Sequence, residues 1–282
     1  MTAGHSPTVR RRRLASELRR LREAAGLTCE DVAGHLECSA AKVSRIETGR
    51  TGVNPRDVRD MLQLYGVEGD RQDALVELSR MARQKGWWHN YSDVLTGAFA
   101  GMEAEAASIR CYQAQLVPGL LQTEDYARSV FRAVRPKADT DDVERRVAAR
   151  RARQSILVRD QPPKLWMVID EAVLHRKVGG DEVMREQLDY LVEMTAQPNI
   201  ELQVLPFGVG AHAAADGPFV ILGFPDPIDP TVVYLDTLTS GLYLEKPEEI
   251  RWYSTVFDHV RAAALGTEES VALIASRAKE LT

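Results

Sequence analysis

Between Thr28 and Glu47 the chain fits two helix starts and a turn into the twenty residues "TCEDVAGHLECSAAKVSRIE". Thr28 has the side chain of an N-cap, and Asp31, three residues on, is the acid partner of a capping box. Val32, Ala33 and Leu36 give this first helix an apolar side. Ser39 caps a second helix, whose apolar stripe is only Val43 and Ile46. Just "ECS" lies between them, and two short helices joined by roughly three or four residues is helix-turn-helix spacing.

The second helix is otherwise small, polar and positive. A helix that enters the major groove buries a narrow stripe against its own domain and keeps its other face slim and polar. Ala40 and Ala41 permit close approach, and their methyls can meet thymine methyls. Lys42, Ser44 and Arg45 supply donors, and the Arg45 fork matches guanine O6 and N7. Ser39, at a helix N-terminus, suits a phosphate.

The flanks agree with this reading. Leu14, Leu18, Leu21 and Ala25 recur at helical spacing before Gly26. Asn54-Pro55-Arg56-Asp57 starts another helix, with Asn as cap and Pro at the first position. Val58, Met61, Leu62 and Tyr65 form its stripe, and Leu75, Leu78 and Ala82 mark a fifth helix. The expectation is an all-α DNA-binding bundle over residues 10–85.

Charge supports a split chain. Residues 1–60 hold 12 Lys+Arg against 8 Asp+Glu, a net of +4, while the whole carries −5, so the remainder carries −9. That is the pattern of a basic binding module on an acidic body. Arg10–Arg13 is open to two readings, a disordered tail or an arm that adds phosphate contacts. Three cysteines without a CxxC pair fit free thiols in a reducing cytoplasm. No apolar run is long enough to span a bilayer, and none follows the basic start as a secretory signal would require. A cytoplasmic, nucleoid-associated protein is expected.

Residues 86–100 read as an aromatic linker or hinge. Trp87, Trp88 and Tyr91 can form a ligand cage, but packing at a domain hinge is the commoner use of such a cluster. Residues 101–282 read as an α+β domain. Helices are expected after Thr123, over about 141–159 with an Arg-laden outer face, over 182–195, and from Pro247 and Thr267. For the Arg-laden helix, salt bridges within the acidic domain are preferred to a second DNA surface. Tyr126, Val130 and Phe131 should face inward on one helix, and Val143, Val147, Ala148, Ala152 and Ile156 on the next. Strands are expected at "KLWMVID", "IELQVLPF", "PFVILGF", "TVVYLDTL" and "GLYLEK", in a four- or five-stranded, mostly antiparallel sheet.

Two resemblances then attach to these residues. "LRRLREAAGLTCEDVAGHL" with "SAAKVSRIETGR" resembles the Cro/lambda-repressor, or xenobiotic-response-element, type of helix-turn-helix. The resemblance implies a structural pair between Arg22 and Glu47, and phosphate contacts from the "TGR" loop at Gly49 and Arg50. "LVPGLLQTEDYAR", "DEAVLHRKVGG", "GPFVILGFPDP" and "VVYLDTLTSGLYLEKPEEI" resemble the C-terminal domain of antitoxin-like, WhiJ-type actinobacterial regulators. That resemblance, over about residues 14–280, implies a regulator with a small protein partner encoded by a neighbouring gene.

Catalytic signatures are missing. The six histidines have no HExxH or paired-ligand spacing, and no GxSxG elbow or P-loop occurs. The loop "GVGAHAAADG", with His212, reads as a pocket cover or, preferably, a plain connection. A faint likeness to half of a phospholipase-D-like fold lacks the HxK signature after His212, so no enzyme, metal or cofactor is expected. The expected DNA-binding set is Thr28, Ser39, Ala40, Ala41, Lys42, Ser44, Arg45 and Arg50, acting on a double-stranded operator. One module reads few base pairs, so a homodimer on two half-sites about 34 Å apart is expected. The C-terminal domain then senses a small protein partner or, as the weaker option, a small molecule. The competing class is an antitoxin-like scaffold that neutralises a partner, with DNA binding serving autoregulation.

Overall fold

The computed structural model describes residues 9–83, 87–95, 98–226 and 229–281. The boundary expected between residues 85 and 86 lies outside the described residues. The chain divides into two units. The first holds α1 (Val9–Ala24), α2 (Cys29–His35), α3 (Ala40–Glu47), α4 (Pro55–Leu64), α5 (Asp70–Met81) and α6 (Phe99–Glu105). Its starts are set locally. Thr28, Ser39 and Asn54 each accept a hydrogen bond from the backbone N–H three residues on, and each such cap contributes about 1 kcal/mol. Gly26 and Gly66 end α1 and α4 with φ near +70°, a conformation L side chains avoid.

Leu18, Val32, Val43, Ile46, Val58, Met61 and Leu62 share one core. Two sequence expectations shift here. Ala25 lies beyond the end of α1 and is exposed. Arg10–Arg13 is neither tail nor loose arm but the first turns of α1, with the Arg12 Nη1 3.6 Å from the Met102 sulfur on α6. Trp87, Trp88 and Tyr91 form a 3-10 turn in this same unit. The Trp87 ring meets those of Trp88 and Tyr91 edge-on at 6.0 and 6.2 Å. The Trp88 indole lies so close to Gly101 that a Cβ there would sit 3.4 Å away.

The second unit is an α+β domain on a six-stranded sheet: β1 (Ser108–Gln113), β2 (Lys164–Asp170), β3 (Ile200–Leu205), β4 (Phe219–Gly223), β5 (Val232–Asp236) and β6 (Gly241–Leu244). The strand order is β3-β2-β1-β4-β5-β6, with β1, β2 and β3 parallel and the other three pairings antiparallel. The helices are α7 (Glu124–Val134), α8 (Thr140–Gln154), α9 (Ala172–His175), α10 (Asp181–Met194), α11 (Pro247–Ala263) and α12 (Thr267–Lys279). The sheet has six strands rather than four or five because "SIRCYQ", β1, is an interior strand. Arg110 on one of its faces hides the apolar run that marks the other buried strands.

One sheet face carries Tyr112, Val168, Phe219, Ile221 and Val233 against Val256, Phe257 and Val260 of α11. Residues of opposite parity, such as Ile109, Cys111, Leu165, Met167 and Leu202, are buried on the other face. The outer edge of β3 is closed: Leu265 N donates to Val204 O at 2.9 Å, and Val204 N donates to the Ser270 hydroxyl at 2.9 Å.

On α8 the inward alanine is Ala149, while Ala148 is exposed, a phase slip of one residue. Three of its five arginines form ion pairs within the unit. Arg145 pairs with Asp93 at 3.1 Å, Arg146 with Asp142 at 2.8 Å, and Arg151 with Glu124 at 3.1 Å. Among the described residues no helix is long and apolar enough to cross a membrane, and no His, Cys, Asp and Glu group is arranged to hold a metal ion.

Candidate nucleic-acid interface

The turn between α2 and α3 is tight enough to force Glu37 to φ +50°, the only non-glycine residue with positive φ among those described. That conformation costs a β-carbon residue about 1 kcal/mol, and here it sets the direction in which α3 leaves the bundle. The capping box at α2 is complete. Asp31 N donates to Thr28 Oγ1 at 3.2 Å, and Thr28 N donates back to Asp31 Oδ2 at 2.8 Å. Hydrogen bonds from Thr28, the backbone one first, hold the Asp31 carboxyl below its ordinary pKa.

α3 divides cleanly. Val43 and Ile46 are fully buried, and so is Glu47. Ala41, Ser44, Arg45 and Thr48 are exposed at spacings i, i+3, i+4 and i+7, so they form one outward stripe. Thr48 is not in the expected set. Its signal in the sequence is its spacing from Ala41, although it is the C-cap rather than a helical residue. The Thr48 hydroxyl donates to Ser44 O at 2.8 Å, which fixes its methyl and oxygen on the stripe.

Ser39 is exposed and its hydroxyl accepts from Lys42 N at 3.2 Å, while Ala40 is half-buried. Lys42 turns aside to Asp57 of α4, with Nζ 3.3 Å from the carboxylate. The loop after α3 is pinned by Gly49 N to Ile46 O and Thr51 N to Arg45 O, both at 3.0 Å. Gly49 is buried with φ +68°, and Arg50 beside it is exposed.

Beneath the stripe, Arg22 of α1 holds Glu47 through both arms of the fork, Nε to Oε1 at 2.8 Å and Nη2 to Oε2 at 2.9 Å. Its third nitrogen, Nη1, donates to Leu27 O at 2.7 Å. The bond to Glu47 raises the Arg22 pKa further above its already high value. The Tyr65 hydroxyl is buried nearby with no partner among the described residues, and burial raises its pKa. This packing ties α1 to α3 at the end of the helix that carries Thr48.

His212 belongs to the other unit and is engaged there. Its Nε2 lies 3.3 Å from the Tyr112 hydroxyl, and its Nδ1 accepts from Ala214 N at 3.3 Å. The Tyr112 hydroxyl is also 3.5 Å from Asp170, and burial, then this carboxylate, raises its pKa.

A short capped helix pair with a polar outward stripe defines a helix-turn-helix protein. A family model described as a helix-turn-helix domain matches residues 13–75, which span α1 to the first half of α5. A second model, described as domain of unknown function DUF5753, matches residues 96–276, and the chain belongs to that family. No characterised protein and no solved structure matches this chain.

Proposed function

We propose that this protein is a sequence-specific transcriptional regulator that reads a double-stranded operator with α3. The observation that carries the reading is the outward stripe Ala41–Ser44–Arg45–Thr48 on a helix whose other side is buried. A stripe of methyl, hydroxyl and guanidinium groups supports base-edge readout. Arg45 takes a guanine through O6 and N7, and Ala41 and Thr48 offer methyls to thymine. Thr28, Ser39, Ala40 and Arg50 flank the stripe and position it on phosphates. Lys42, drawn toward Asp57, contributes less than the sequence alone would give it.

The protein acts in the cytoplasm as a homodimer, because one stripe of this length reads too few base pairs for useful selectivity. The DUF5753 domain takes a small protein partner, or failing that a small molecule, and biases operator binding. The likeness to actinobacterial antitoxin-like regulators supports a partner encoded by the neighbouring gene. Trp87, Trp88 and Tyr91 serve as the hinge packing of the helical unit rather than as a cage.

The test is fluorescence anisotropy on DNA from upstream of the protein's own gene. Arg45→Ala should cost about 1–3 kcal/mol on the operator and relax the preference at one base pair. Arg50→Ala should weaken specific and random DNA alike. Equal losses on both DNAs for both variants overturn the assignment of α3 to the groove. Adding the neighbouring gene product should shift operator affinity of the full-length chain, and an unchanged affinity refutes the partner.

A further inference from the structure

An arginine occupies a place in the second unit where its neighbours are apolar. Arg110 sits on β1, an interior strand, and points to the sheet face covered by α11. Across the sheet it lies in register with Trp166 of β2 and Ile221 of β4. A half-buried cation in such a row is costly unless polar contacts offset its lost hydration. Burial does lower the Arg110 pKa.

The offset within the protein is partial. Arg110 Nη2 donates to the Ser254 hydroxyl at 3.3 Å, and its Cζ stands 5.7 Å from the Phe257 ring centre. Among the described residues, no carboxylate is within ion-pair distance of it. A second guanidinium, Arg261, lies 4.4 Å over the Trp166 ring and bears on Arg110 as a like charge. The carboxylate that bears on both is Asp258, and it reaches Arg261 only at 4.0 Å. Among the described residues, Asp258 is thus the one carboxylate that pairs here; Glu201, the exposed next residue of the row beyond Trp166, is within ion-pair distance of neither guanidinium.

The platform beneath them is rigid. Phe257 is fully buried and meets Trp166 edge-on at 6.5 Å. The Trp166 indole N–H donates to Gln203 at 2.8 Å, and the Gln203 amide donates to Leu265 O at 2.8 Å, so β3 and the turn after α11 lock the ring. Ser254, Phe257, Asp258 and Arg261 fall at i, i+3, i+4 and i+7 of α11, one face of one helix. Arg110 and Trp166 remain partly open to solvent.

We infer that Arg110 and Arg261, set against the Trp166 ring, form a binding site for the oxyanion of a small carboxylate- or phosphate-bearing molecule. Guanidinium forks bind both oxyanions in two-point fashion, and stacking on the Trp166 ring holds the Arg261 fork in place for it. The site is independent of the DNA-reading stripe, so its test does not depend on operator binding.

The experiment follows the indole N–H resonances of the four tryptophans in labelled full-length protein. Inorganic phosphate and, separately, benzoate are titrated against sodium chloride at matched ionic strength, with the Trp166 signal identified through Trp166→Phe. The Trp166 resonance should shift saturably while the other three hold still. Arg110→Gln and Arg261→Gln should each weaken the response at least tenfold. A response to phosphate alone assigns a phosphate-bearing ligand, and one to benzoate alone assigns a carboxylate. Should Arg110→Gln fail to fold, Arg261→Gln decides, because that side chain is partly exposed on α11. No shift beyond that of chloride, or a shift that survives in the folded variants, overturns the site.

Discussion

Replacing Glu47 by Ala removes the partner of a guanidinium that has little access to water. The Arg22 side chain is 11% exposed and that of Glu47 3%. Two charge-assisted bonds vanish, and Arg22 keeps Leu27 O and a long 3.8 Å ion pair to the half-exposed Glu23. Breaking a buried pair from one side costs about 3–5 kcal/mol, mostly the penalty of the stranded charge. Against a domain stability of about 5–15 kcal/mol that is a large fraction. The loss should fall on α1 and α3, which the pair joins, and not on the sheet unit. Hydrogen exchange of full-length protein reads this directly, as a fall in opening free energy for amides of 14–24 and 40–47. The double variant Arg22→Met, Glu47→Leu should recover most of the loss, since neither charge then remains buried. Protection in Glu47→Ala within about 0.5 kcal/mol of the parent would refute the reasoning. So would a double variant as weak as the single one.

Two further outcomes follow from the same geometry and a third from the proposed function. Glu37→Gly should stabilise the helical unit by up to about 1 kcal/mol in the same exchange measurement, because φ +50° strains a β-carbon residue, and a loss would mean that the Glu37 side chain itself supports the turn. The Asp31 carboxyl is held low in the folded state, so its cap is intact above the unfolded value of about 3.9 and is lost as pH falls through the lower folded value; an α2 amide titration with a midpoint at or above 3.9 would contradict this. Light scattering at micromolar concentration should give twice the chain mass of 31.4 kDa, and a monomer that protects only one half-site removes the dimer.

What the sequence makes legible is local. Thr28, Ser39, Asn54 and Thr123 are caps that act within three residues, and all four bond as their spacing implies. The starts at Pro247 and Thr267 are local in other ways: proline occupies the first helical position of α11, and at α12 Gly266 N donates to Glu269 Oε2 at 3.1 Å. The helix-turn-helix is readable for that reason, since its turn and both caps lie within one short stretch. Features set by distant partners are not readable in this way. β1 depends on β2 and β4, which begin at residues 164 and 219, and its polar Arg110 conceals it. Lys42 is diverted by Asp57, fifteen residues on, so its residue type alone overstates its freedom. Arg12 joins α1 and meets Met102, a contact ninety residues away. Ala148 and Ala149 differ by one helical step, which periodicity in an alanine- and arginine-rich run does not resolve.

The central claim is that α3 reads base sequence, and selection from a random double-stranded DNA pool tests it most directly. Full-length protein at moderate salt should enrich an inverted repeat whose half-sites are centred about 34 Å apart, each with an invariant guanine. The same selection with Arg45→Ala should keep the repeat and its spacing but lose that guanine. A pool with no enriched motif, or an identical motif from the parent and Arg45→Ala, would contradict the account.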